Sequence, residues 1–354
     1  MTIAPFSYRS RAVDVRFGRG RAADNVRDCI EAHGARRVLV VATRSQAATA
    51  DRLTAELGDR VVARFSDVRE HVPAATAEAA RHAAADVEAD LVLSIGGGST
   101  TGTAKAIAMT ARIPIIAVPT TLAGSEMTDT WGVTIGGRKY TGTDARVLPR
   151  AVVYDPSLLD GLPDRLTVTS SFNAMAHCVE AFWGPRANPL SSVLAAEGVR
   201  RLADGLRAHS GGEARAVDEL QYGSFLAGLV FADAGSGLHH KICHALGGSF
   251  DLSHAGTHTV ILPRVVRFNA PAVPETAAAL AAALRADDAA AGLEELIAET
   301  RAPRTLREVG MRDDELPVAV EVVAEKLPID NPRDVTREAL EQLLGAAYDG
   351  KDLR

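Results

Sequence analysis

Short apolar runs alternate with helix-length segments in the first third of the chain, and this alternation restricts the fold more than any other feature. A continuous apolar run is typical of a strand that is buried on both faces of a parallel sheet. Such runs occur at residues 38–42 (VLVVA), 90–95 (DLVLSI) and 113–119 (IPIIAVP). Helical patterns occur before and between these runs, at residues 19–34, 46–57 and 74–85. One further extended segment lies at residues 61–65. Strands joined by helix-length crossovers predict an α/β domain with a doubly wound, mostly parallel sheet.

The pattern changes from about Leu158, where short strands give way to long alanine- and leucine-rich segments. Apolar residues recur in these segments at helical spacing, which predicts amphipathic helices. The predicted helices are 167–183, 189–208, 214–232, 238–246, 274–284, 288–300 and 336–348. We therefore predict two domains, an α/β domain at residues 1–157 and an all-helical domain at residues 158–354.

Charge and composition exclude several classes of protein. The formal net charge of -6 is spread along 354 residues without a lysine or arginine run that could neutralise a phosphate backbone, so no nucleic acid partner is expected. No apolar run is long enough to span a bilayer, and MTIAPFSYRS lacks an apolar signal core, which predicts a cytoplasmic protein without membrane association. Cys29, Cys178 and Cys243 are too few and too scattered for a disulfide framework or a CxxC zinc site.

A glycine-rich turn follows the strand predicted at residues 90–95. Gly96, Gly97, Gly98 and Ser99 lie between that strand and a predicted helix. Glycines let a phosphate approach the backbone, while free amides and the helix dipole favour negative charge there. The turn therefore predicts a phosphate cradle. It is not a GxGxxG fingerprint, and a tight turn without a ligand is the alternative interpretation.

A second polar loop follows the next strand and brings Thr120, Thr121 and Ser125 to the same edge of the sheet. Two polar loops at the carboxyl edge of such a sheet predict a bound dinucleotide. Thr43 ends another strand, at a position where an acidic residue would bind a ribose hydroxyl and repel a phosphate. With Thr43 there and Arg44 adjacent, both NADH and NADPH are acceptable. A strand-end threonine without a function is the alternative.

Five of the ten histidines lie within the twenty residues from 239 to 258. A helix over 237–246 would place His240 and His244 on one face, with Gly247 and Gly248 ending the helix. The turn that follows would fold His254 back towards them. Clustered imidazoles bind a transition metal, transfer a proton near neutral pH, or donate hydrogen bonds to an anionic substrate.

Asn173 and His177 are four residues apart on a predicted helix and would join His240 and His254. An aspartate in place of Asn173 would complete a charged four-ligand metal site. Without that charge, the three imidazoles can hold zinc or iron less tightly or act as hydrogen-bond donors to a substrate. The carboxylates of a substrate could be bound by Lys241 and by Arg138 and Lys139, which lie in a turn-like stretch where solvated surface charge is the alternative.

Several motifs resemble the iron-containing alcohol dehydrogenase family and, within it, the maleylacetate reductases. They are GGGSTTGTAKAIA, PTTLAGSEMT, NAMAH with EAFW, ANPL, and HHKICHALGGSFDLSHAGTHT, between about Val13 and Asn269. The resemblance implies an α/β NAD(P)-binding half followed by an all-helical half, an architecture shared with dehydroquinate synthase. It also implies an active site in the cleft between the halves, hydride transfer from NAD(P)H, and a homodimer formed by strand pairing near the N-terminus.

In metal-dependent members of this family the ligands fall at the positions of Asn173, His177, His240 and His254. The histidine at the position of His244 lies near the nicotinamide. This chain departs from those members at Asn173, where they carry an aspartate, and at Gly102, where they carry another. Both departures, and the form AGSEMT, resemble maleylacetate reductases. An enzyme without a metal is therefore favoured, and iron or zinc held by His177, His240 and His254 is the alternative.

The resemblance predicts NAD(P)H-dependent reduction of the dicarboxylate maleylacetate to 3-oxoadipate in the degradation of aromatic compounds. Hydride addition to the double bond gives an enolate that needs stabilisation and a proton, which suits His177, His240, His254 and, as proton donor, His244. The alternatives are a related reductase for another keto or enone substrate and a metal-dependent alcohol dehydrogenase. A lyase of the dehydroquinate synthase type and a non-catalytic nucleotide-binding protein are further alternatives.

Overall fold

The computed structural model describes residues 6, 8, 10–136 and 138–351, and for residue 138 it describes the backbone. The chain forms two compact units, an α/β unit at residues 10–162 and a helical unit that begins at Pro163. Among the described residues, the model contains no helix that combines the length and the apolar composition needed to cross a membrane.

The α/β unit contains a parallel sheet of six strands, which are β1 (Asp14–Phe17), β2 (Val38–Ala42), β3 (Val61–Phe65), β4 (Leu91–Gly96), β5 (Ile115–Pro119) and β8 (Ala151–Tyr154). Their order in the sheet is β1-β8-β5-β4-β2-β3. The helices of the unit are α1 (Ala22–Ala32), α2 (Ala47–Thr54), α3 (Ala74–Asp86) and α4 (Gly98–Ala111). The predicted doubly wound α/β fold is confirmed.

Strand β2 shows why the apolar runs are continuous. Val38 and Val40 pack into one core layer with α1 and α2, whereas Leu39 and Val41 pack into another with α3 and α4. Successive side chains of a strand point to opposite faces of the sheet, so helices on both faces require an apolar residue at every position. The same holds for β4 and β5, which are buried throughout.

The winding of the sheet reverses at β2, because β3 lies on one side of that strand and β4 lies on the other. Ala42 of β2 pairs with Ile95 of β4, and Gly96 pairs with Pro119 of β5. The residues that follow these three strands are therefore neighbours at one edge. In open α/β sheets, ligands bind outside the carboxyl ends of the strands at such a switch point.

A two-stranded antiparallel hairpin also belongs to this unit, formed by β6 (Thr130–Ile135) and β7 (Arg138–Thr143). The prediction that Arg138 and Lys139 lie in a turn is wrong, since both belong to β7. The reversal occurs just before them, where Gly136 has a φ of +56°. The glycines and charged residues of this segment obscure the alternation of apolar and polar residues by which a hairpin strand is predicted.

The helical unit is organised around α5 (Asp164–Ala181), which is buried at every position from Thr167 onward. It packs against α6 (Pro189–Ser210), α7 (Ala216–Ala234) and α9 (His254–Asn269). A helix that is buried on all sides belongs to the core of its unit. The remaining helices are α8 (Leu238–Phe250), α10 (Pro274–Leu284), α11 (Ala289–Glu299), α12 (Leu316–Ala324) and α13 (Arg337–Asp349).

Helix α8 is longer than predicted. It runs through Gly247 and Gly248 and ends at Phe250, followed by Asp251 in the left-handed region with a φ of +51°. The prediction that the glycine pair ends the helix is therefore wrong. A helical glycine costs only about 1 kcal/mol relative to alanine, and the buried face that includes Leu238, Ile242 and Leu246 offsets that cost.

His254 does not lie in a turn but is the first residue of α9. The β-branched residues of this segment and Pro263 within it disfavour a helix by propensity. The helix nevertheless forms because it is buried from Gly256 to Asn269 except at Arg267, so packing outweighs propensity.

Candidate active site

The predicted phosphate cradle lies between β4 and α4. Gly97 is the N-cap of α4, in an extended conformation, and its position lacks a side-chain cap for the first helical amides. The amides of Thr100 and Thr101 donate to the carbonyl oxygen of Gly97 (3.1 Å each). The amides that remain free at such a terminus, with the helix dipole, favour an anion. A Cβ atom on Gly97 would lie 2.8 Å from Oγ1 of Thr121. Gly97, Gly98 and Ser99 are partly exposed after a fully buried strand, so a ligand can reach them.

The loop after β5 is held by Lys105 of α4, a residue that sequence reasoning missed. Its buried ammonium donates to the carbonyl oxygens of Ser125 (2.7 Å), Thr128 (2.8 Å) and Thr130 (2.7 Å), and to Oγ1 of Thr128. Burial lowers the pKa of Lys105 to about 7, against the raising effect of the carboxylates of Glu126 and Asp129. The lysine lies in the quoted motif GGGSTTGTAKAIA, but its inward direction could not be known from the sequence.

The other predicted cofactor residues lie at the same edge of the sheet as the cradle. The Thr120 amide donates to the carbonyl oxygen of Gly96 (3.1 Å). The buried Ser125 hydroxyl lacks a partner among the described residues. Thr43 follows β2, beside β4, and its hydroxyl lies 2.9 Å from that of Ser45. The sheet thus gathers backbone amides and hydroxyls, which can bind the phosphates of a dinucleotide.

Gly102 lies one turn into α4. A Cβ atom at this position would lie 2.8 Å from Cγ2 of Val72. Val72 is itself buried in the left-handed region, with a φ of +50°. An aspartate at position 102 would therefore require the side chain of Val72 to shift.

In the helical unit, the four predicted catalytic histidines lie in one chain of ring contacts. The ring centroids of His177 and His240 are 4.9 Å apart, those of His240 and His244 are 5.8 Å apart, and those of His244 and His254 are 6.1 Å apart. His177 and His240 are buried, whereas His244 and His254 are exposed. One end of the cluster, at His177 and His240, is therefore desolvated. The other end, at His244 and His254, can exchange protons with water.

Glu180, a second residue that sequence reasoning missed, orients His240. Its fully buried carboxylate accepts hydrogen bonds from the amides of Gly237 (2.8 Å) and His239 (2.7 Å), and from Nδ1 of His240 (2.6 Å). One side chain thus caps the start of α8 and fixes the ring of His240 so that Nε2 faces the cluster. The EAFW motif contains this glutamate, but its partners come from a helix about sixty residues later.

An aromatic ring borders the buried end of the cluster. Phe231 of α7 stacks on His177 at 4.3 Å and lies 5.0 Å from His240, measured between ring centroids. Burial lowers the pKa of His177 well below its usual value, and the neighbouring histidines lower it further. His177 is therefore a neutral imidazole at pH 7.

The predicted metal ligands include an amide at the position where a carboxylate would supply charge. Asn173 is buried, and its Oδ1 lacks a partner among the described residues, but an amide brings no charge. The rings of His177 and His240 stack, with their centroids 4.9 Å apart. In the part of the chain that the structure describes, His239, Cys243 and His258 form a group whose ligand atoms lie within 4.8 Å of one another and could hold a metal ion. The positions of the family ligands carry three imidazoles and one uncharged amide in this chain.

The predicted carboxylate-binding residues belong to both units. Lys241 is partly exposed on α8, next to His240, while Lys139 is exposed on β7 in the α/β unit. The side chain of Arg138 lies outside the described residues. The arrangement in the helical unit by itself offers hydrogen-bonding imidazoles, an amide and one cation, which can bind an anionic oxygen and transfer a proton.

Comparison with known proteins agrees with the fold. Residues 12–156 match the family model of iron-containing alcohol dehydrogenase, and residues 167–348 match that of the C-terminal domain of the Fe-containing alcohol dehydrogenase family. The solved iron-containing alcohol dehydrogenase of Corynebacterium glutamicum is 44% identical with a TM-score of 0.95, over 99% of both chains. The protein is thus an oxidoreductase by fold and site. It belongs to the iron-containing alcohol dehydrogenase family, as the motifs predicted.

Within that family, several similar proteins are named maleylacetate reductases. The maleylacetate reductase of Burkholderia cepacia is 43% identical over 98% of both chains. That of Sphingobium indicum is 42% identical over 98% of this chain and 97% of its own. The solved maleylacetate reductase of Rhizobium sp. strain MTP-10005 is 38% identical with a TM-score of 0.94, over 98% of this chain and 99% of its own.

Proposed function

We propose that this protein is a cytoplasmic maleylacetate reductase that uses NADH or NADPH and forms 3-oxoadipate during the degradation of aromatic compounds. The observation that carries the proposal is the graded histidine cluster, in which Glu180 holds His240 while His244 reaches solvent. Full-length likeness to maleylacetate reductases supports the choice of substrate.

The cofactor assignment rests on the glycine cradle, Thr120, Thr121 and Ser125. Its amides suit a pyrophosphate, and Thr43 with the exposed Arg44 suits a ribose with or without a phosphate. Bound NADH or NADPH supplies a hydride to the electron-poor double bond of maleylacetate. We expect both cofactors to be accepted.

The histidines stabilise the resulting enolate and protonate it. Nδ1 of His177 and Nε2 of His240 lack partners among the described residues. Nδ1 of His177 can donate a hydrogen bond to an oxygen of the substrate, whereas Nε2 of His240 accepts one when that ring donates from Nδ1 to Glu180. His244 donates the proton to carbon and regains one from solvent, because it is exposed. Asn173, His254 and Lys241 bind oxygens of the two carboxylates.

We propose that the reaction proceeds without a metal. Asn173 supplies no charge to hold a divalent cation. A conjugated double bond is already electron-poor, and hydrogen-bond donors are sufficient for an enolate.

The test is to mix purified protein with maleylacetate and either cofactor, and to follow the absorbance of the reduced nicotinamide with and without chelator. We expect oxidation with both cofactors, unchanged by chelator, and no reduction of NAD⁺ with simple alcohols. Absence of oxidation with either cofactor would remove the proposed substrate. Chelator-sensitive activity that iron or zinc restores would instead overturn the metal-free mechanism.

The role of His244 is tested by His244→Ala, which should lower kcat about 100-fold or more because a general acid contributes roughly that factor. His209→Ala is the matched control, since His209 lies on α6 of the same unit and contacts Asp164. Equal kcat values for the two variants would contradict the assignment.

A homodimer is part of the proposal. Strand β1 pairs with β8 on one side and is an edge strand of the sheet. Unpaired edges are templates for pairing with another chain. Light scattering after size exclusion should give twice the mass of 37.2 kDa, and a monomer would refute this part.

A further inference from the structure

Three soft metal ligands lie together in the core of the helical unit, apart from the residues to which the resemblance assigns a metal. His239 and Cys243 are one turn apart on α8, and His258 lies one turn into α9. Nε2 of His239 is 2.8 Å from Nδ1 of His258 and 3.6 Å from Sγ of Cys243. All three side chains are buried, and their ligand atoms lie within 4.8 Å of one another. We propose that these three residues form a binding site for a soft divalent cation such as zinc.

The distances are close to those that zinc requires. Bond lengths of about 2.0 Å to nitrogen and 2.3 Å to sulfur, in tetrahedral geometry, place nitrogen and sulfur ligands roughly 3.6 Å apart and two nitrogens roughly 3.3 Å apart. The distance from Cys243 to His239 already meets this value. The separation of His239 and His258 has to widen by about half an ångström, which small rotations of the two rings achieve.

The chemistry of the group also fits. A thiolate with two imidazoles is a ligand set that favours zinc or copper over magnesium or calcium. Each neutral imidazole offers the lone pair of one ring nitrogen to a metal. Cys243 loses its proton to solvent when the metal–sulfur bond forms. The imidazole that donates in the His239–His258 hydrogen bond moves its proton to its other ring nitrogen.

The site is distinct from the predicted ligands Asn173, His177, His240 and His254, because it contains the thiol and none of those residues. The two are nevertheless adjacent. The ring centroid of His258 lies 4.5 Å from that of His254 and 4.9 Å from that of His240. A cation at the new site would therefore sit beside the cluster proposed to act in catalysis.

Cobalt(II) discriminates between the two places, because a cobalt–thiolate bond gives an intense charge-transfer absorption in the near ultraviolet and the other ligand set contains no sulfur. Metal-free full-length protein is titrated with cobalt. We expect the band to saturate at one cobalt per chain and to disappear when one equivalent of zinc is added. Cobalt binding without this band, or no binding, would overturn the proposal.

Cys243→Ser should abolish the band, and His258→Gln should weaken cobalt binding more than tenfold. Cys29→Ser is the matched control, because Cys29 is equally buried but lies in the α/β unit, and it should keep the band. A band that survives in Cys243→Ser refutes the site. If Cys243→Ser does not fold, X-ray absorption of the zinc-loaded wild type decides, since one sulfur at about 2.3 Å is expected and none would refute the proposal. None of these measurements depends on the reductase reaction.

Discussion

The proposed cofactor edge of the α/β unit and the histidine cluster of the helical unit offer different kinds of binding group. At the sheet edge the binding groups are mainly backbone amides, placed by the register of β2, β4 and β5. In the helical unit they are side chains whose nitrogens are directed by other buried side chains, as Glu180 directs His240. Function in the first region follows from topology, whereas in the second it depends on individual contacts.

The largest effect that separates the two regions is expected from Glu180→Ala. The change leaves two amides of α8 and Nδ1 of His240 without their acceptor, which should lower the free energy of unfolding by about 3 kcal/mol. It should also lower kcat about 10- to 100-fold, because His240 loses its orientation. Urea unfolding and steady-state kinetics measure the two quantities.

Glu197→Gln on α6 is the control for Glu180→Ala. Its carboxylate pairs with Arg200 and Arg201 at the half-exposed surface, so the free energy of unfolding should change by at most about 1 kcal/mol. If both variants unfold alike, the proposed role of Glu180 fails.

Acid should destabilise the helical unit before the α/β unit. Burial lowers the pKa values of His177, His239 and His258 in the folded state, and neighbouring histidines add to the effect. Because the unfolded chain binds protons first, the free energy of unfolding falls once the pH drops below about 6.5. The slope should be about 1.4 kcal/mol per pH unit for each histidine that stays neutral in the fold.

The α/β unit should keep its stability against acid down to a lower pH than the helical unit. Burial raises the pKa of Asp155, but hydrogen bonds from Ser157 and from the amides of Gly20 and Ala22 outweigh it and lower the pKa overall. The stability that Asp155 provides is thus lost only as the pH falls below its ordinary pKa of 3.8.

The two tryptophans separate these transitions, since Trp131 belongs to the α/β unit and Trp183 to the helical unit. Fluorescence of metal-free Trp131→Phe and Trp183→Phe variants, followed from pH 7 to pH 3, reports one unit each. Simultaneous transitions of both reporters near pH 4 would contradict the expected order.

A methyl group in the cradle should weaken the cofactor without unfolding the protein. Gly97→Ala places Cβ against Thr121 and fills space that a phosphate needs, so KM for NADH should rise about tenfold, equivalent to about 1.4 kcal/mol. The kcat value should change less. Gly345→Ala in α13, where a Cβ atom meets nothing within 4 Å, should leave KM unchanged, and a similar KM for all three proteins would argue against the cradle.

The smallest effect concerns the glycine pair in α8. Gly247→Ala should raise the free energy of unfolding by about 0.5 to 1 kcal/mol, because the position is helical and open. Gly136→Ala should instead destabilise the protein, since Gly136 has a positive φ. Thermal unfolding measures both, and a loss of stability in Gly247→Ala would mean that the helix ends where the sequence predicted.

The sequence predicted more of the cofactor edge than of the histidine cluster. Continuous apolar runs located β2, β4 and β5, and the turn after β4 followed from its glycines, because strand order and backbone amides depend on pattern. Lys105 and Glu180 were missed because a charged residue is normally a surface residue until its burial is seen. The pairing of His239 with His258 was missed because α9 carries residues of low helix propensity and was taken for a turn.

The pairing of the first strand with the last has a consequence during synthesis. Strand β1 bonds to β8 alone, and Asp14 aligns with Ala151, which is 137 positions later. At about 5 to 20 residues per second, a ribosome needs roughly 7 to 27 seconds to cover that interval. During that time β1 has no partner strand, because β8 has not yet been synthesised. We therefore expect a chaperone near the exit tunnel to bind this segment of the nascent chain.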